Sequence, residues 1–183
     1  MSSRRAQRRR FVTNDSHDIE RALLWRSLAA QRAHALGILD GLDDQALHLP
    51  VLPSGWSCAA LVHHLAIDEE RFWFRAVMAG DRTVIASFAS AESAWRVDAS
   101  TPAQEVIDLY RREIALADAV IAETQLDTAP AWWPEDLFGS FRLANLREVL
   151  LHMIVEVACH AGHLDAVREL LDGRQWLVLD KPG

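Results

Sequence analysis

The chain reads as all-α, a four-helix bundle. Three observations carry that expectation: four long segments have apolar residues recurring every three to four positions, helix start and stop signals bracket them, and no stretch shows β-alternation. The 183 residues, half of them hydrophobic, suffice for one domain with its own core and are too few to favour two.

The first helical segment runs from about Asp18 to Leu39, carried by Ile19, Leu23, Leu24, Leu28, Ala35, Leu36 and Leu39, and "GLDD" stops it. The following "LPVLPSGWS" is a loop, rich in proline and glycine. Ser57 can cap a second helix reaching Ala79, ahead of Gly80. Residues 81–100 lack a sustained period and are expected as loop or partial helix. Thr101, Pro102 and Gln104 then supply an N-cap, a first-turn proline and a capping-box partner for a third helix to Glu123. The stretch 126–142 is irregular and aromatic, suited to folding over one end of a bundle. Asn145 and Glu148 repeat the cap signal for a fourth helix, which continues to Leu171 before Asp172 and Gly173.

Residues 1–15 are expected to be a disordered basic tail and 16–183 a single domain. The net charge is −7, yet the first ten residues hold five arginines, leaving about −12 on the rest. A nucleic-acid groove is not expected on so acidic a body. No apolar stretch follows the arginines, so a secretory signal is not expected either. Charged residues interrupt every run before the ~18 apolar positions a bilayer span needs. Cys58 and Cys159 are too few for a disulfide framework, which fits a reducing cytoplasm. Both look structural.

Helical phase, at about 100° per residue, sorts the polar residues. On the fourth helix Leu146, Leu150, Met153, Val157, Leu164 and Leu171 centre the buried face. His160 falls between Met153 and Val149, and Glu156 lies on the edge of that face. His163 and His152 lie farther out, and Cys159 farther still. On the second helix Leu61, Leu65, Phe72 and Ala76 form the stripe, with His64 and Asp68 beside it and His63 pointing away.

Glu156 and His160, four apart on one helix, could share one cation with a ligand from a facing helix, or form an ordinary buried hydrogen bond. The inward His64 supports the cation without deciding it. Asp68 could orient an imidazole, act as acid or base, or pair with an arginine. His163 could sit behind the ligands or on the surface. Trp56, Trp73, Trp132 and Trp133 could line a pocket, although tryptophan at bundle ends usually packs.

Two motifs, "SGWSCAALVHHLAIDEERFWFRAVMAGD" and "LREVLLHMIVEVACHAGHLDAVRELLDG", resemble the DinB-like superfamily, in an actinobacterial branch without assigned function. They are also similar to the metal-binding domain of mycothiol-dependent maleylpyruvate isomerases and to thiol S-transferases. The likeness extends from about residue 20 to 174. It implies an up-and-down-type bundle whose three side chains hold a divalent metal, zinc first and nickel second. The histidine of the family's "HLA" motif falls on His64. Where many members place two histidines four apart, this chain has Glu156 and His160, as in the Glu-plus-His variant of the isomerases.

The resemblance thus implies His64, Glu156 and His160 as metal ligands; Asp68 and His163, singled out by their helical phase, are expected as supporting catalytic residues. It further implies a low-molecular-weight thiol such as mycothiol acting on a small electrophilic substrate, and it admits a homodimer. The residues after Gly173 leave no room for the isomerases' further C-terminal domain, so their particular reaction is not expected. Two other readings stay open at this point: a non-catalytic or regulatory metal-binding bundle, and a metal-dependent hydrolase.

Overall fold

The computed structural model describes residues 3–88 and 93–177, with side chains from residue 17. It is all-helical among the described residues, as the periodicity predicts. The helices are α1 (Ser3–Gly37), α2 (Asp44–His48), α3 (Cys58–His64), α4 (Arg82–Phe88), α5 (Ala103–Glu123) and α6 (Leu146–Asp172). A π-wound segment, Leu65–Met78, continues α3 without a break. Four rods result: α1 packs chiefly on α6, and the α3–π rod packs chiefly on α5. No helix among the described residues is long and apolar enough to cross a membrane.

The caps explain most boundaries. Ser57 Oγ accepts from the Ala60 amide at 3.2 Å, and Asn145 Oδ1 accepts from the Glu148 amide at 3.1 Å, as expected of N-cap residues. Gly173 ends α6 with φ 78°, a left-handed conformation that favours glycine. α1 begins well before Asp18, drawing in Arg, Gln and Ala, all good helix formers. The short α2, capped by Asp43, was not legible within the proline-flanked stretch.

At α5 the expected cap is replaced. The helix starts at Ala103, and its first amide donates at 2.7 Å to Asp44 Oδ1, from α2. Gln104 bonds Asp108 in place of a capping partner. A tertiary contact supplies what Thr101 was expected to give. The C-terminus of α1 is served in the same way, because the buried Arg168 of α6 donates to the Ile38 and Asp40 carbonyls.

The core is the apolar seam shared by the rods: Leu28 and Ile38, Leu61 and Phe74, Tyr110 and Ile121, Leu150 and Leu164 are all but fully buried. It also contains ions. Arg32 donates from Nε and Nη2 to the two oxygens of the fully buried Glu70, at 2.7 and 2.5 Å, and from Nη1 to Asp118 at 2.8 Å. Arg71 and Arg75 both bond Glu113. These bonds tie α1, the π segment and α5 together.

The aromatic stretch after α5 folds over the end of the π segment. The Ala131 and Trp132 amides donate to the Met78 and Val77 carbonyls, pairing backbone acceptors that a helix end leaves free. That contact hangs an aromatic wall beside the junction of the π segment with α6.

Candidate functional site

His64 closes α3 and is buried, 9 % exposed. Its Nδ1–H donates to Asp68 Oδ2 at 2.9 Å, which leaves the Nε2 lone pair free. The i, i+4 spacing of the two residues allows this bond. Nε2 stands 3.6 Å from Glu69 Oε1. The ring stacks on Trp95 at 4.2 Å between centroids, which fixes its plane.

Across the gap α6 presents His160. Its ring meets that of His64 edge-on, with centroids 5.0 Å apart. Its Nε2 lies 3.9 Å from Glu156 Oε2, and its Nδ1 lies 3.5 Å from Nδ1 of the exposed His163. The structure therefore brings His64, Glu156 and His160 into one neighbourhood, with Asp68 behind the first and His163 behind the last. The other polar candidates part company with them. His63 bonds the Ala94 carbonyl at 2.7 Å, and Cys159 is exposed. Burial pushes the Cys58 thiol up to about 11, so it stays protonated.

Burial, together with His64 and His163 nearby, pushes His160 down to about 4. Its imidazole is neutral at physiological pH, the form that can offer a lone pair. Burial first, then the charges of Glu156, Asp68 and Glu70, pushes Glu69 up to about 8. Glu69 Oε2 is buried without a hydrogen-bond partner.

Glu69 and Glu70 escaped the sequence reading. On the α-helical wheel Glu70 lies opposite Leu61, yet it is fully buried, because α1 covers that side and Arg32 meets it. The segment is wound with i→i+5 bonds, such as the Ala79 amide to the Phe74 carbonyl at 3.0 Å, so a 3.6-residue wheel drifts along it. A double carboxylate in an apolar run was the available signal.

The donor set suits a divalent cation: the imidazoles of His64 and His160 stand near the carboxylates of Asp68, Glu69 and Glu156, one oxygen of Glu69 has no partner, and no lysine or arginine is among the cavity's described lining residues. As the side chains stand, no three His, Cys, Asp or Glu groups among the described residues already converge on one point. Trp73 and Trp132 line a cavity of about 870 Å³ opening beside His64 and Glu156, whereas Trp133 is buried and Trp56 lies 6.4 Å from His163.

No curated protein and no solved structure matches the chain. A family model described as mycothiol-S-transferase matches residues 23–173, a span that holds the α3–π rod, α5 and α6 with all five candidate residues. The chain belongs to the mycothiol-S-transferase family, within the DinB-like superfamily.

Proposed function

We propose that the protein is a divalent-metal-dependent thiol S-transferase, with mycothiol as the thiol and His64, Glu156 and His160 as the metal ligands. The observation that carries this reading is the meeting of His64 and His160 across the bundle, with Glu156 and a large cavity beside them, in a chain of this family. Zinc suits the nitrogen and oxygen donors best, and nickel is the second choice. When bound, the cation would supply the positive charge that keeps a thiol ionised near neutral pH.

The chain's own residues do the rest. Asp68 holds the His64 ring in one tautomer and orientation. His163 flanks His160 at the solvent side, where a thiol arrives. The aromatic wall keeps water from the reacting carbon. In the transfer a C–S bond forms between the thiol sulfur and an electrophilic carbon. The leaving group departs with its bonding pair, and the thiol proton passes to solvent. No protein nucleophile is required, in accord with a protonated Cys58. The two free cysteines suit a cytoplasmic location.

Mixing zinc-loaded protein with mycothiol and monochlorobimane tests the proposal. The fluorescent thioether should form, fall at least about a hundredfold in His160→Ala, and vanish when thiol is omitted. Undiminished turnover in His160→Ala overturns the assignment, and product loss of the halide without thiol would indicate hydrolysis instead.

A further inference from the structure

The cavity beside His64 and Glu156 is lined by two unlike sets of side chains. Phe72, Trp73, Phe88, Trp132, Phe138 and Phe141 make one. The other consists of His64, Asp68, Glu69, His152 and Glu156. Phe72 meets Trp73, Phe88, Trp132 and Phe138 edge-on, with centroids 5.1 to 6.2 Å apart. Trp73 and Phe138 lie nearly parallel, at 15°. Six aromatic side chains thus line one cavity, and at about 870 Å³ it has room for a molecule of several fused rings.

We propose that this chamber is the acceptor site and selects a neutral, flat, polycyclic aromatic electrophile. The inference rests on the transferase reading and names its second substrate. Three features converge on that class. A polar, water-soluble thiol finds few partners among six aromatic rings, so the chamber suits the electrophile and leaves the Trp56, Trp95 and His163 side to the thiol. No lysine or arginine stands among the described lining residues, so outside the proposed cation at His64 and Glu156 an anionic acceptor finds no side chain to pair with. The partnerless Glu69 Oε2 can accept a hydrogen bond from a hydroxyl on the ring system.

The way in is also marked. Leu137 and Phe141 line the chamber yet remain 62 % and 44 % exposed, apolar side chains at a rim where water would otherwise be preferred. Bound there, the acceptor presents its reactive carbon to the polar wall. The C–S bond forms at that carbon, its leaving group departs toward solvent with the bonding pair, and the thiol proton is released to water.

Two probes with one ring frame test the class: N-phenyl-1-naphthylamine, which is neutral, and its 8-sulfonate, which is anionic. Each is titrated by fluorescence into the full-length protein with no thiol present. The neutral probe should bind saturably at one site, and the sulfonate about tenfold more weakly or not at all. Leu137→Ser combined with Phe141→Ala should weaken the neutral probe by about tenfold while the circular dichroism stays helical. Equal or tighter binding of the sulfonate, or unchanged binding in the rim variant, overturns the proposal.

Competition separates this inference from the reading beneath it. The neutral probe should raise KM for monochlorobimane and leave kcat unchanged. Thiol transfer that the bound probe does not inhibit would reject the chamber and leave the transferase reading standing. Specific probe binding in a protein without thiol transfer would do the reverse.

Discussion

Arg32 and Glu70 form a two-pronged ion pair in the centre of the bundle, at 2.7 and 2.5 Å, with exposures of 3 % and 0 %. Glu70 immediately follows Glu69 on the π segment, so one helix turns adjacent carboxylates in different directions. One is neutralised by arginine and locks α1 to the rod. The other faces the cavity without a partner for Oε2.

Removing one member of the buried pair strands the other in a medium that solvates it poorly. Arg32→Met alone should destabilise the fold by about 3–5 kcal/mol. Combining it with Glu70→Leu should recover part of that loss, because no fully buried charge is then left unpaired; Asp118, partly exposed, keeps its bond from Trp25. Urea denaturation of the two variants checks the order, and a double variant less stable than the single one would contradict it.

The N-terminus of α5 offers a direct choice between a local and a tertiary cap. Asp44→Ala removes the acceptor for the Ala103 amide and should cost about 1 kcal/mol. Thr101→Ala should change stability by less than about 0.5 kcal/mol, since its side chain does not cap the helix. Thermal unfolding of the two variants measures both.

The cysteines should separate by reactivity. Cys58 is fully buried and ionises only as the pH passes about 11, so at pH 8 roughly one part in a thousand is thiolate. A disulfide reagent should therefore modify one thiol per chain quickly, at the exposed Cys159, and the second only after denaturant is added. Cys159→Ser should retain thiol transfer. Loss of transfer in that variant would reveal a protein nucleophile.

The bundle was legible because amphipathic periodicity and caps depend on residues close in sequence. Asn145 and Ser57 behave as their local motifs predict. The wheels also placed His64 and His160 on facing surfaces, since α3 and α6 are α-helical there. The misses share a different cause. Asp44 acting on α5, Arg32 on Glu70 and Arg168 on the end of α1 all span long sequence separations. The π winding changed the phase after Leu65 and hid Glu70 from the wheel. The chamber needed the fold, because it joins the π segment, α4, the aromatic loop and α6.

The central claim is that His64, Glu156 and His160 together hold one divalent cation. Calorimetric titration of zinc into metal-stripped protein tests it most directly, against His64→Ala, Glu156→Ala and His160→Ala measured with their circular dichroism. The account predicts one equivalent per chain in the wild type and at least about a tenfold weaker affinity in each folded variant. Failure of the wild type to bind, or equal affinity in the three variants, would contradict it.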